Sequence, residues 1–520
     1  MLRFTGPAVA AAIAGLTLVA CHHGTAGDPG DASADASCDP GFAASQPASC
    51  PSGPLGANPS CAADTDAGRT QLANAPDTFG VSRLGTPQKL YQLLGETDRQ
   101  FQPPQPTPIA ATESGAGVVG ADLGFSFQHR GRLVFLFGDT IPTPGAASAQ
   151  SCCATGRVGE DACCTGARPR DADSMAFLDD PASASGDAPL ALRYPLASDG
   201  YFQPVTLDGN ERCTNEVPAS GFSDGTSMYV FYEVDTADCR GYAVLAVSTD
   251  DGPTLRTVLT MPYPLSDVAP RVVATSAVPG LSSLWGDAQT LLMWGRYRVH
   301  PPILVAAPLS RVTDPTSWRY LASLGGDTPT WDASIDAAVE VYTPGPGYDC
   351  RGPFTVVPVP EARRWLMIEQ EIEPSQSPTR DGWIRARVAA SPVGPWSPPL
   401  TLFDMNADGG ICGFMHRRCL PAPVDTCDEA MCEAREEAGA VSASTPCCDD
   451  DYTPSMFGFG PCGTMPYPYG AFPVEALSRW DAPSSTLTLY SLLSTFNPYT
   501  TVMTKTQLSF APGSPLPRRR

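Results

Sequence analysis

Five short β-rich units recur in order along this chain, separated by Pro- and Gly-rich turns, and they limit the fold more than any other feature. They span Gly120–Thr140, Ser227–Thr249, Ala288–Leu309, Phe354–Ala390 and Phe472–Leu508. Runs such as M-Y-V-F-Y-E-V, Q-T-L-L-M-W-G, W-L-M-I-E-Q and T-L-T-L-Y-S-L-L-S stand within them, and helical periodicity is scarce after residue 100. Strand units repeated around an axis make a β-propeller. A β-sandwich is the competing arrangement, but it does not ordinarily repeat so often over so long a span. The expected fold is all-β: a five-bladed β-propeller over residues 84–512, with disulfide-rich loop insertions near 145–171 and 405–468. About 430 residues exceed the usual compact domain. A propeller grows as one unit because its blades add radially.

The first unit, G-A-D-L-G-F-S-F-Q-H-R-G-R-L-V-F-L-F-G-D-T, reads as a β-hairpin turning at His129-Arg130-Gly131-Arg132. A turn symmetric about Arg130 and Gly131 pairs Gln128 with Leu133 and sets Asp122 directly opposite Asp139. Opposed residues have Cβ atoms about 4.5–5.5 Å apart. The same register gives Leu123, Phe125 and Phe127 one face with Val134 and Leu136. On the other face Gly124 meets Phe137 and Ser126 meets Phe135. A one-residue slip would break that sorting. Two carboxylates so close repel, and one proton is held more tightly. A hydrolase can use such a pair; the plainer alternative is one Asp capping a turn and one solvated.

The N-terminus bears on compartment. Arg3 precedes an apolar stretch, Ala8–Ala20, too short to span a bilayer as a helix, which ends in Leu18-Val19-Ala20-Cys21. The pattern resembles a bacterial lipoprotein signal, with cleavage before Cys21 and a lipid on that cysteine; an ordinary secretory signal is the alternative. Either way the chain is expected to be exported, as a membrane lipoprotein at the outer membrane or cell surface. His22 after the cysteine fits outer-membrane sorting in a Gram-negative host. Residues 22–83 are rich in Ala, Asp, Ser, Pro and Gly, a composition that suits a disordered tether.

A net charge of -22, from 55 acidic and 33 basic residues, argues against nucleic acid as a partner and is neutral towards sugars. Eighteen cysteines are present, and lipidation of Cys21 would leave an odd number. In an exported protein they read first as disulfides. Cys152-Cys153, Cys163-Cys164 and the cluster from Cys412 to Cys462 fall between the blade units. Zinc is the sharper alternative, weakened by only five histidines and no paired C-x2-C spacing. No G-x-S-x-G, H-E-x-x-H or phosphate-binding glycine loop occurs, so the common serine hydrolase, zincin and nucleotide readings fall away. No cofactor is expected.

Ser248-Thr249-Asp250-Asp251-Gly252-Pro253-Thr254-Leu255 resembles the Asp-box turn of sialidase-like propellers, with Leu255 in place of the aromatic. Asp250 reads as structural. A broader resemblance follows from motifs in order: G-A-D-L-G-F-S-F, L-V-F-L-F-G-D-T, Asn215-Glu216-Val217-Pro218, W-G-R-Y-R at Trp294–Arg298, D-P-T-S-W-R-Y at Asp314–Tyr320, Gly394-Pro395-Trp396-Ser397 and L-L-S-T-F-N-P-Y at Leu492–Tyr499. The series resembles the bacterial family called domain of unknown function 4185. Some members of it are endo-D-arabinofuranosidases of glycoside hydrolase family 183, related to five-bladed propellers. The resemblance implies that Asp122 and Asp139 are the catalytic carboxylates. The cysteine-rich insertions depart from the family pattern.

Further candidates keep two readings each. Glu216 is a third carboxylate that ends a central strand and tunes the pair, or a solvated loop residue. Arg296, Arg298 and His300 alternate along one strand and share a face, to hold sugar hydroxyls or to form salt bridges. His416 contacts sugar or is structural. Asn497 and Tyr499 line the mouth, or Asn497 forms a turn. Trp285, Trp294 and Tyr297 stack on sugar rings or pack between blades. Asp449-Asp450-Asp451 binds calcium or is solvated.

Together these features suggest a surface-tethered glycoside hydrolase, endo-acting on a furanoside polymer such as D-arabinan. Its partners would be a polysaccharide and, through the N-terminal lipid alone, the membrane. The alternative is a non-catalytic lipoprotein propeller that binds glycans or proteins. A sialidase-like enzyme would need an arginine triad and a tyrosine nucleophile that the sequence does not assign. The N-terminal reading makes one direct prediction: Cys21→Ser abolishes lipid labelling and releases the protein from membranes. Retained labelling would contradict it.

Overall fold

Among the described residues, alternating apolar and β-branched residues bounded by Gly and Pro turns give twenty-two strands in five sheets. The computed structural model describes residues 69–75, 79–98, 111–143, 172–208, 216–234, 242–262, 265–296, 300–325, 328–344, 350–372, 382–404, 407–408, 469–496 and 499–511. The first blade holds β2 (Val118–His129), β3 (Arg132–Pro142) and β4 (Ala172–Leu178). The second holds β6 (Glu216–Ser223), β7 (Met228–Val234), β8 (Tyr242–Ser248) and β9 (Thr254–Thr260), with β5 (Thr206–Asp208) parallel to β9. The third holds β10 (Asp267–Ala274), β11 (Gln289–Arg296), β12 (Ile303–Pro308), β13 (Arg319–Ser323) and β14 (Thr330–Asp332). The fourth holds β15 (Cys350–Val359), β16 (Arg364–Ile372), β17 (Gly382–Ala389) and β18 (Leu400–Asp404). The fifth holds β19 (Tyr469–Pro473), β21 (Thr486–Phe496), β22 (Tyr499–Phe510) and, from the other end of the chain, β1 (Val81–Gln92), with β20 (Arg479–Asp481) paired to β21.

Each hairpin unit of the sequence thus falls in a different sheet. The innermost strands β2, β6, β10, β15 and β19 pack one against the next, and β19 returns to β2, which makes the five-bladed ring. β1 closes it as the outermost strand of the last blade, running antiparallel to β22 from Val81↔Phe510 to Gln92↔Val502. Arg83 on β1 donates to the Leu402 carbonyl at 3.1 Å and pairs with Asp408, fastening the closing strand to the fourth blade. Residues 69–75, within the stretch read as a tether, lie along the third and fourth blades: Leu72 N donates to Glu340 O at 2.9 Å and Ala75 N to Trp396 O at 2.7 Å.

Apolar side chains fill the spaces between blades. Leu123, Phe125 and Phe127 share one cluster with Val134 and Leu136, while Phe135 and Phe137 pack in another with Tyr490 and Leu492. This is the face sorting expected of the first hairpin. Each such Phe or Leu contributes roughly 1.5–3 kcal/mol by leaving water. Trp285 and Trp294 are buried in the core of the third and fourth blades, so their role is packing. The Ser248–Leu255 turn joins β8 to β9. Asp250 Oδ1 accepts from Gly252 N at 2.9 Å and Leu255 is fully buried, which makes Asp250 a turn residue.

The register of the first hairpin holds from His129↔Arg132 to Phe125↔Leu136 and then breaks. Leu123 and Gly124 both take positive φ, 63° and 90°, so that Leu123 pairs with Phe137 and Asp122 with Gly138. Asp139 itself has φ 37° and lies in a second irregular stretch. The expectation that Asp122 directly opposes Asp139 is therefore corrected by a bulge on each strand.

The two cysteine-rich segments fall almost entirely outside the described residues, as do the N-terminal signal and residues 22–68. Their attachment points are described. Pro142 pairs with Val118, where β2 begins. Asp404 pairs with Trp383, near the start of β17, and Tyr469 opens β19. Both segments are rooted at the rim where the innermost strands begin. Among the described residues no helix is long and apolar enough to cross a membrane.

Gly124 gives a test of the bulge. A Cβ there would meet Leu492 Cδ1 at 2.6 Å on a backbone with φ 90°. Gly124→Ala is expected to destabilise the fold by about 1–3 kcal/mol, read as a lower midpoint in denaturant unfolding.

Candidate functional site

Both aspartates are almost wholly out of solvent: Asp122 is 0% and Asp139 2% exposed. Leu123 and Asp139 are non-glycine residues held at positive φ, a backbone cost of order 1–3 kcal/mol each that recurs at functional sites. Tyr469 at the head of β19 donates its hydroxyl to Asp122 Oδ2 at 3.1 Å, joining the first and last blades. Gly138 makes room for this carboxylate, because a Cβ there would stand 2.6 Å from Asp122 Oδ1 and 3.1 Å from Val217 of the second blade. Asp173, also buried, falls in the irregular part of the β3–β4 pairing that holds Asp139. Thr140 and Ser174 share a hydroxyl hydrogen bond of 2.7 Å beside it.

A second polar constellation occupies the same rim, between the third and fourth blades. Arg296 ends β11 opposite Asp267, the first residue of β10. Its Nε donates to Asp267 Oδ2 at 2.9 Å, and its Nη1 stands 3.5 Å from Glu369 Oε2. Glu369 also accepts from Arg387 Nε at 2.9 Å and from the Tyr342 hydroxyl at 2.7 Å. Glu371 accepts from Arg385 Nη1 at 2.6 Å and faces Arg387 Nη2 at 3.3 Å. Arg296 lies over the Phe354 ring and Arg387 over that of Tyr342. Burial would lower the pKa of Arg387, but the charges of Glu369, Tyr342 and Glu371 outweigh it and hold the guanidinium charged. Burial pushes the Asp267 carboxyl above the usual range, against the pull of Arg296.

The sequence candidates separate accordingly. Asp122, Asp139 and Arg296 lie at the rim, within the described structure. Arg296 is the last described residue of β11, and His300 precedes β12, where its Nδ1 stands 3.1 Å from Glu340 Oε1. Glu216 is the first described residue of innermost strand β6. Its side chain, and that of Tyr499 at the start of β22, lie outside the described residues, as do Arg298, His416, Asn497, Tyr297 and Asp449–Asp451. Residues that sequence reasoning missed are Tyr469, Asp173, Glu233, Asp267 and the ladder of Glu369, Glu371, Arg385 and Arg387. The signal for the ladder was present: E-Q-E and R-A-R place like charges at every second position of two apolar strands, hence on one face.

The family model described as "Domain of unknown function (DUF4185)" matches residues 109–505. No curated protein matches the chain. Among solved structures, a thermostable family-43 glycoside hydrolase is 11% identical with a TM-score of 0.30, covering 79% of this chain and 99% of its own. An exo-β-1,3-galactanase from Phanerochaete chrysosporium with β-1,3-galactotriose is 10% identical, TM-score 0.31, covering 55% of this chain and 50% of its own. A Trypanosoma rangeli sialidase in complex with a difluorosialic acid is 10% identical, TM-score 0.34, covering 75% and 44%. The chain thus spans about half the length of the last two. At such TM-scores these likenesses fix neither fold nor chemistry.

The ladder predicts a stability effect. Glu369→Leu leaves Arg296 and Arg387 buried without their shared carboxylate, and removing one partner of a buried ion pair costs about 3–5 kcal/mol. A fall of several degrees in unfolding temperature is expected; an unchanged midpoint would show that the ladder is not coupled to folding.

Proposed function

The chain belongs to the DUF4185 family, and from that premise we propose that it is a glycoside hydrolase, endo-acting on a furanoside polymer such as D-arabinan, with Asp122 and Asp139 at the scissile bond. The observation that carries this reading is the placement of two almost fully buried aspartates on bulged, positive-φ segments of neighbouring strands. Burying a carboxyl group and holding a non-glycine backbone at positive φ both cost stability, and proteins retain such costs where chemistry needs them. Glycoside hydrolysis uses carboxyl groups to protonate the leaving oxygen and to act as base or nucleophile at the anomeric carbon. The Tyr469 hydroxyl orients Asp122, and Gly138 lets the carboxylate lie flat against β3. Arg296 and His300 would be donors for sugar hydroxyls further along the same rim. The N-terminal lipid signal would hold the enzyme at the cell envelope, where a polysaccharide of the wall is the accessible substrate.

The test is a product screen followed by substitution. The mature protein is incubated with arabinan, arabinogalactan and unrelated glycans, and the products are separated by size. Shorter arabino-oligosaccharides are expected from the parent. Asp122→Asn and Asp139→Asn should each fold and lose about 10²–10⁴-fold in turnover. Near wild-type rates in both variants would remove the catalytic assignment, and a parent that cuts no glycan would leave a binding propeller.

A further inference from the structure

A second polar cluster lies at the far end of β2 from Asp122. His129 is the last residue of β2, followed by the turn Arg130-Gly131 and by Arg132, the first residue of β3. The His129 side chain has no exposed surface. Its Nδ1 lies 2.7 Å from the Ser223 hydroxyl at the end of β6, and its Nε2 lies 3.2 Å from Asp251 Oδ1 in the β8–β9 turn. A serine and an aspartate from two different strand ends are thus joined through one imidazole. Asp251 follows Asp250 in the turn that resembles an Asp-box. Asp250 shapes that turn, whereas Asp251 turns its carboxylate to the first blade.

The hydrogen bonds assign the tautomer. A carboxylate only accepts, so Asp251 takes the N–H of Nε2. In the neutral ring the other nitrogen is then an acceptor, and Nδ1 takes the Ser223 O–H. Gly225 N donates to the same Ser223 oxygen at 3.0 Å, which leaves the hydroxyl hydrogen to point at the ring. Ser223 therefore carries a base hydrogen-bonded to it, and a third group orients that base. An activated nucleophile is recognised by these roles, whatever the order of the residues in the chain.

Asp251 is itself held in place. Arg130 pairs with its carboxylate and donates from Nη2 to the Thr226 carbonyl at 2.7 Å, while Arg132 Nη2 donates to the Asp251 carbonyl at 2.6 Å. Arg130 and Asp251 hold positive φ, 48° and 56°, a backbone strain in non-glycine residues that recurs at functional sites. Ser223 is half-buried and is followed by Asp224, Gly225 and Thr226. The Arg130 guanidinium thus stands beside this turn, where a carbonyl oxygen gaining negative charge would be stabilised. Small and polar surroundings suit a short acyl group on a polar carrier.

We propose that Ser223 is a nucleophile towards short carboxylic esters, with His129 as its general base and Asp251 as the positioning residue. This second activity does not rest on the glycosidase reading and uses none of its residues. The Ser223 oxygen bonds to the ester carbonyl carbon as its proton passes to His129 Nδ1. The bond from that carbon to the alcohol oxygen breaks, and the departing oxygen takes the proton from His129. Water then adds to the acyl carbon and gives one proton to His129. The bond to Ser223 breaks, and Ser223 regains that proton. An acid and an alcohol leave, and nothing is oxidised or reduced.

Two measurements on the full chain test the proposal. A fluorophosphonate probe forms a covalent bond to serines that a base activates. Mass spectrometry should place the label on Ser223 in the folded parent and not after denaturation. Labelling of His129→Gln should slow on the order of 10²–10⁴-fold. With p-nitrophenyl acetate as the ester, Ser223→Ala should lose p-nitrophenol release to a similar extent. Asp251→Asn should lower kcat with KM unchanged, and Asp251→Glu should recover part of it. No label on Ser223 in the folded parent overturns the proposal, as does a Ser223→Ala variant that releases p-nitrophenol at the parent's rate. The cluster would then be a latch between the first and second blades. Labelling that is as fast in a folded His129→Gln variant as in the parent overturns the base assignment.

Discussion

The pairing of β1 with β22 is the constraint on which the ring depends. It joins Val81 to Phe510 and so ties nearly the two ends of the folded chain into one sheet. Every other blade is built from residues close in sequence. Without β1, the edge of β22 would be left with unpaired backbone groups, the liability that ring closure removes. Side chains extend the closure inward. Thr501 on β22 donates to the Ala121 carbonyl at 2.7 Å, and Tyr469 reaches Asp122, so the junction of the last blade with the first also frames the buried aspartates. Closure and site are therefore set by the same contacts.

The second constraint is electrostatic. Arg296, Glu369, Arg387 and Glu371 form a ladder that alternates in charge, with Arg296 on the third blade and the other three on the fourth. A well-packed apolar interface of the same volume is often as stable or more so. The ladder's distinct property is direction: guanidiniums donate to carboxylates only along defined lines, so it sets how the third and fourth blades meet at the rim. Arg271 does similar work lower in the ring, where it donates to the Val356 carbonyl and pairs with Glu475.

Much of this was legible in the residues. Alternating runs marked one hairpin for each blade, because each blade's strands carry their own apolar faces. The face sorting of Phe125, Phe127, Phe135 and Phe137 was legible for the same reason. The bulge at Leu123 was not: leucine carries no preference for positive φ, and only Gly124 beside it hints at the kink. The ion pair of Arg296 with Asp267 was not legible either, because the two residues are distant in sequence and adjacent only in the sheet.

The rooting of both cysteine-rich segments at one rim has an evolutionary consequence. Pro142 and Ala172 bound one, Asp404 and Tyr469 the other, and all four stand where the innermost strands begin. Chain can be gained or lost between these anchors without altering a strand register, the closing pair or the apolar filling between blades. Length between these anchors is thereby free to vary independently of the packing of the blades. Such a scaffold can be altered at its rim without rebuilding its blades.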